Sequence, residues 1–314
     1  MNKMKESITT KGEIKRSRRA VAQDRSLAMG SDVLNAIIEL VTNSDDAYQR
    51  MTEESYKKHR ITIDITSRFG KQEYGLIQVK DNAKSMTKEQ AEKRLGVEGG
   101  RNSGFEKGEN TRGLLGRGAK DVVHFGPTQW YLRTPNGDCT IFKHLYESDS
   151  INNYEVSEMA YDDPEFLKVK SELKPYGTIA EIKVLKSFTV PTPKTLYKKL
   201  SQHISMQKLL EDREVRLIGR NSKGEITYDE TIMCHEPARR QIAKDLRISM
   251  EGYPEEEITI NLYELDESVA SELELDHGKY SLRIQSGRGS FQMYEEKAFS
   301  PYLYQLSGYV DVPF

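Results

Sequence analysis

Glu39, Asn43 and Asp46 follow one another at intervals of four and three residues, and at about 100° per residue those positions share one face of an α-helix. A carboxylate, an amide and a second carboxylate converging from one face can hold a hydrated divalent cation and orient a water. The run that carries them, DVLNAIIELVTNSDDAYQ from Asp32 to Gln49, also places Leu34, Ile37, Ile38 and Val41 beside the polar stripe. That is the pattern of an amphipathic helix packed on a sheet, so the helix is expected to bring the three groups to an active site completed by residues elsewhere.

The strands expected to meet this helix end in residues of matching chemistry. ITIDITSRF alternates apolar and polar positions as a half-buried strand does, and EYGLIQVKD is its expected hairpin partner through Gly70 and Lys71. There follow Asp81, Asn82, Ala83, Lys84, Ser85 and Met86. A carboxylate leaving a strand ahead of small residues can accept from an exocyclic amine while the backbone approaches a flat ligand; an ordinary turn is the other reading of the same residues. From about Thr87 to Arg112 the chain is glycine-rich and charged, which predicts a long loop of the lid type. It runs into GLLGRGAKDVVHFG, where Gly113, Gly116 and Gly118 precede a helix-like turn containing Lys120. Glycines opening a helix leave N–H groups and a positive dipole end for phosphates, and the lysine adds a point charge. The spacing is neither the P-loop nor the dinucleotide fingerprint. TQWYLRT and CTIFKHLYES flank Pro135, Asn136 and Gly137 as a hairpin, a polar connection follows, and GTIAEIKVL reads as another strand with Gly177 and Thr178 at its start. Threonine in a strand needs no special role.

Composition narrows the classes. At 314 residues the chain can hold one large or two ordinary domains, and 31% charged residues nearly cancel to a net charge of −2, which selects neither a nucleic-acid nor a membrane binder. Cys139 and Cys234, the only cysteines, lack the CxxC spacing of a zinc site and fit a reducing, cytoplasmic setting. No apolar run approaches the roughly 18 residues of a membrane span, and the basic N-terminus has no apolar segment behind it. Residues 1–30, with Lys15, Arg16, Arg18 and Arg19, read as a polar arm that is solvated or docks on a second subunit or on phosphates. Pro191 and Pro193 mark a shift in composition. Beyond about 195 a helix (KTLYKKLSQHISMQKLL), a hairpin (REVRLIG with ITYDETI) and strands in EITINLYEL, KYSLRIQS and SFQMY predict a second α/β unit. His235 and His277 read as turn or surface histidines. The apolar end, YVDVPF, suggests a piece of a longer protein.

Four segments now stand in one order: ELVTNSDDA, DNAKSM, GLLGRGAK and GT before a strand. Together, over residues 31–190, they resemble the GHKL ATPase family, which includes gyrase B, the ninety-kilodalton heat-shock chaperones, histidine kinases and MutL, with MORC-like and chaperone-like members nearest. The resemblance implies a two-layer α/β sandwich of the Bergerat type, a mixed sheet with helices on one face, and a smaller transducer-like α/β domain over 195–314. It implies ATP and Mg2+ as ligands, ATP-gated homodimerisation, and a role driving a larger assembly with further domains or partner proteins, acting on nucleic acid or in defence, and no membrane. By position, Glu39 corresponds to the general base and Asn43 to the magnesium ligand. Asp46 corresponds to a residue beside the nucleotide, and Asp45 falls at a variable position without a role. Asp81 corresponds to the adenine-binding aspartate, Thr178 to the threonine supporting it, and Met86 to a residue packed near the base. Gly113, Gly116 and Gly118 correspond to the phosphate loop, and Lys120 to a lysine of MORC-like members. Where the family carries Asp-x-Gly-x-Gly, this chain has Ala83 and Ser85, which lack glycine's freedom at positive φ. A non-catalytic nucleotide-binding scaffold or chaperone module is the alternative. A histidine kinase fits less well, because no histidine precedes His59.

Overall fold

The structure is a computed structural model describing residues 18–51, 59–67, 74–97, 118–147, 150–234, 238–250, 253–265, 283–286, 289–292 and 306–312. The helices are α1 (Arg18–Met29), α2 (Val33–Gln49), α3 (Lys88–Leu95), α4 (Gly118–Asp121), α5 (Pro164–Glu172), α6 (Pro193–Gln202) and α7 (Ile204–Asp212). An eight-stranded mixed sheet contains β1 (Arg60–Thr66), β2 (Gly75–Asp81), β3 (Thr128–Arg133), β4 (Cys139–Glu147), β5 (Ser150–Glu158), β6 (Gly177–Val184), β7 (Glu214–Arg220) and β8 (Ile226–Thr231). Its spatial order is β5-β4-β3-β6-β2-β1-β7-β8. The expected hairpins β1/β2, β3/β4 and β7/β8 are antiparallel, and in this sheet β1 pairs with β7 in parallel. A five-stranded sheet follows from β9 (Ala238–Met250), β10 (Tyr253–Leu265), β11 (Arg283–Ser286), β12 (Gly289–Gln292) and β13 (Leu306–Val312), in the order β12-β11-β13-β10-β9.

α2 begins at Asp32, whose Oδ1 accepts from the Leu34 amide at 3.0 Å; an aspartate there satisfies one of the orphan N–H groups of the first turn. Its apolar stripe, Val33, Ile37, Leu40 and Val41, is buried against alternate residues of the sheet: Ile61, Ile63 and Ile65 of β1, Ile77 and Val79 of β2, and Ile182 and Val184 of β6. Leu196 and Leu200 of α6 and Met206 and Leu209 of α7 complete the same core. Residues of opposite parity, Tyr131, Ile141 and Ile179, face a second cluster with Phe166 and Val169 of α5. The sheet therefore carries a helix on each face, where helices on one face alone were expected.

Three further differences bear on the site. The segment read as a second unit from about 195 continues the first: α6 and α7 contact α2, and β7 and β8 extend the sheet beyond β1. The helix expected across residues 194–210 is broken at His203, whose Nδ1 accepts from Ser205 N and caps α7. The loop expected from Thr87 opens instead with α3, started by a capping box in which Thr87 and Gln90 bond each other's backbone amides. Residues 98–117, with the rest of that expected loop, lie outside the described residues. From the N-terminal arm, residues 18–29 form a helix that buries Val21, Arg25 and Met29 at helical spacing and contacts α2, α4 and β5. Among the described residues no helix is long and apolar enough to cross a membrane.

Candidate functional site

The three residues predicted to share a face of α2 do so, and two of them touch. Asn43 Nδ2 donates to Glu39 Oε1 at 3.0 Å, one helical turn away. A carboxylate can only accept, so the amide nitrogen faces Glu39 and the Asn43 Oδ1 is left to face an exposed side. Asp46 is buried a turn further on. Burial raises the Glu39 carboxyl above the ordinary glutamate range, opposed by the Asn43 hydrogen bond and reinforced by the negative charges of Asp46 and Asp121.

Gly118, the first residue of α4, lies against the Glu39 carboxylate. A Cβ at position 118 would stand 1.8 Å from Oε1, 2.0 Å from Cδ and 2.5 Å from Oε2. Only a residue without a side chain allows the backbone so near the carboxylate. Lys120 and Asp121 on the same short helix are buried, and Arg25 of α1 approaches Asp121 at 3.8 Å. Gly113 and Gly116 of the predicted phosphate loop lie outside the described residues.

At the far end of the site Asp81 closes β2 with its side chain buried. Ser44 Oγ donates to its Oδ2 at 2.8 Å, the Ala83 amide donates to its Oδ1 at 3.0 Å, and the Thr178 backbone amide gives a third bond. A carboxylate offers about four lone-pair sites, so three donors leave about one open. Burial pushes the Asp81 carboxyl up to about 6, with the three hydrogen bonds pulling the other way. Thr178 Oγ1 and Ser85 Oγ are 3.1 Å apart, one hydroxyl donating to the other. Met86 packs at the edge of the main core. Gly177, at φ +150°, allows β6 to pass the Asp81 carbonyl, which a Cβ would meet at 2.1 Å.

Ala83 and Ser85, at the positions where the resembled motif carries glycine, are accommodated simply. Neither Ala83 nor Ser85 adopts positive φ; Asp245 is the one non-glycine residue among those described that does. The Ala83 methyl is fully buried in the main core, and the Ser85 hydroxyl meets Thr178. The turn after Asp81 thus takes a path that alanine and serine can follow.

Sequence reasoning missed residues that act through tertiary contact. Ser44, one position beyond Asn43 and so turned toward the sheet, ties the helix directly to Asp81. Asp45, which had no expected role, is fully buried and bonded by Arg213 Nε at 2.7 Å. Tyr48 reaches Asn82, next to Asp81. A run of consecutive polar residues that continues past the exposed face of the helix was the signal available for Ser44 and Asp45; nothing local marks Arg213.

The site is elongated. Ser44, which holds Asp81, and Glu39 are five residues apart on α2, about 7 Å along its axis. Among the described residues no three His, Cys, Asp or Glu side chains converge as a metal site of their own. No model of a known protein family matches the chain, and no curated protein matches it either.

Proposed function

We propose that this chain binds ATP and hydrolyses it as a conformational switch of the GHKL type, its eight-stranded sheet and the helices α2, α6 and α7 forming a Bergerat-type unit. The observation that carries the reading is the pairing on α2 of the Glu39 carboxylate, with Gly118 backbone packed against it, and the Asn43 amide turned so that its oxygen is offered outward. Asp81, with about one acceptor position left after three donors, supports a base carrying an exocyclic amine at the other end.

The residues fit magnesium in one respect that can be tested: Asn43 presents a carbonyl oxygen, the kind of hard ligand this ion takes, with its nitrogen already engaged. Asn43 would hold the ion, which supplies neutralisation of phosphate charge when bound. In the reaction a water attacks the γ-phosphorus, its proton passes to Glu39, the bond to the bridging oxygen breaks, and ADP and inorganic phosphate leave. A Glu39 carboxyl raised by burial is a stronger base than an exposed one. Lys120 and Gly118 stand on the phosphate side, Asp46 beside Glu39, and Met86 and Thr178 beside the base. The second sheet would take the transducer role, with ATP closing two copies into a dimer and hydrolysis releasing them.

The test is ATP turnover of the full chain with magnesium, measured as ADP release, for the parent and for Glu39→Ala. Loss of a positioned general base removes about 10²–10⁴-fold of rate, with ATP binding retained. Turnover that survives Glu39→Ala excludes Glu39 as the base, and a parent that binds ATP without forming ADP is a nucleotide-binding scaffold.

A further inference from the structure

Tyr48 is fully buried, yet its hydroxyl is fully used. It donates to the Arg60 carbonyl at 2.8 Å and accepts from the Asn82 amide at 2.9 Å, and it closely approaches the Asn82 side-chain amide. Burial and the charge of Asp81 push the phenol well above its ordinary range, so the hydroxyl stays protonated and serves as donor and acceptor together.

The ring is held by two neighbours that also touch each other. His59 stacks on it at 4.4 Å between centroids and 9° between planes, and the Arg213 guanidinium carbon lies 5.3 Å from its centroid. Arg213 is itself held, by Asp45 Oδ1 at 2.7 Å and by contact of Nη1 with His59 Nδ1 at 3.2 Å; arginine only donates, so that histidine nitrogen accepts. Gln49 occupies the second Asp45 oxygen at 3.2 Å. So much buried polar structure fixing one hydroxyl beside the Asp81 turn calls for a reason beyond packing, since a buried phenylalanine would fill the same volume without the hydrogen-bonding demands.

We propose that Tyr48 is a positioning residue for base recognition: its hydroxyl holds the Asn82 amide and so aims the Asp81 carboxylate at the exocyclic amine of an adenine-type base. The inference rests on the nucleotide reading above. Asp81 Oδ1 is bonded to the amide two residues on and Oδ2 to Ser44, so the direction of its remaining lone pair follows the 81–83 backbone, and the Tyr48 hydroxyl is what pins that backbone between them. Tyr48 lies nine positions after Glu39, about 180° round the helix, so the contacts it makes are on the flank away from the hydrolytic group. The array therefore governs which base is accepted and leaves the hydrolytic step alone.

The experiment is Tyr48→Phe in the full chain, with ATP and GTP affinities measured by calorimetry and turnover measured at saturating ATP. One lost hydrogen bond at the turn predicts an ATP Kd weaker by about tenfold, a preference for ATP over GTP narrowed by a similar factor, and kcat within about twofold of the parent. A residue that only stabilises the fold would lower the melting temperature and leave the base preference unchanged. Arg213→Lys retains the Tyr48 hydroxyl and the charge facing Asp45 but loses the contacts to His59 and the ring; the same split between affinity and kcat, smaller in size, is expected, and it supplies the readout should Tyr48→Phe not fold. With ATP bound normally by the parent, unchanged affinity and base preference in the variants overturn the proposal, as does a kcat that falls in step with affinity. A parent that binds no ATP overturns the nucleotide reading itself and this inference with it.

Discussion

Replacing Gly118 by alanine would set a methyl carbon 1.8 Å from Glu39 Oε1, and the Glu39 carboxylate would have to retreat by about 1.6 Å before ordinary contact, 3.4 Å, is restored. Retreat in that direction also strains the 3.0 Å hydrogen bond from Asn43. A misplacement of about 1 Å at a reacting group can reduce rate by about 10²-fold, so Gly118→Ala is expected to lower kcat by at least about 10²-fold. ATP affinity should remain within about threefold, because Asp81 and its donors lie at the other end of the site and distant perturbations act independently. Steady-state ADP release and equilibrium ATP binding are the two assays. The double variant sharpens the reasoning: with Glu39 reduced to alanine there is no carboxylate for the methyl to strike, so adding Gly118→Ala to Glu39→Ala should cost almost nothing further in rate. A Gly118→Ala protein that turns over ATP within about threefold of the parent, or a double variant far slower than Glu39→Ala alone, would refute the argument.

Two further outcomes follow from the buried groups. The Asp81 carboxyl, raised to about 6 by burial, favours its protonated form in the folded chain relative to the unfolded one; its contribution to stability is greatest below pH 3.8 and is lost as pH rises through about 6. The ionised form is the better acceptor for an amine, so ATP affinity should hold steady above neutrality and weaken as pH falls through about 6. In Asp81→Asn that pH dependence should vanish, and an identical slope in the variant excludes Asp81 as its source. Asp45→Ala leaves the Arg213 guanidinium buried without its carboxylate, a situation that costs about 3–5 kcal/mol, so denaturant unfolding should register a loss of that order; a loss below about 1 kcal/mol would mean that the pair is easily replaced by solvent.

What could be read from the sequence was local. The 3.6-residue period of the Asp32–Gln49 segment predicted α2 and the shared face of Glu39, Asn43 and Asp46, because that face is a property of the helix itself. Alternation predicted β1 with β2 as its hairpin partner, and turn residues such as Gly137, which sits at φ +95°, predicted where β3 hands over to β4. What could not be read was set by partners distant in the chain. Asp45 and Arg213 are 168 positions apart, Asp32 and Lys199 are 167 apart, and neither pair leaves a mark within a window of a dozen residues. The same applies to β7: its strand character was legible, but its parallel pairing with β1, which puts residues 214–231 into the first sheet, depends on where α6 and α7 lie across α2. α3 is a different case: its Thr87-x-x-Gln90 capping box is a local feature, and the expectation of a loop from Thr87 rested on the glycines and charges alone.

These nonlocal contacts give the two flanks of α2 different surroundings. On the flank toward α4, Glu39 meets a backbone glycine and a neighbouring amide. On the opposite flank Asp45 and Tyr48 are locked to Arg213, His59 and Asn82. Ser44, between them, reaches Asp81 itself. On the proposed nucleotide reading, the rigid flank tied to the strand end would serve recognition of the base and the flank facing Gly118 the chemistry at the phosphate. Substitutions on the two flanks should accordingly separate into effects on affinity and effects on turnover, and a Gly118→Ala Tyr48→Phe double variant should add the two losses without coupling.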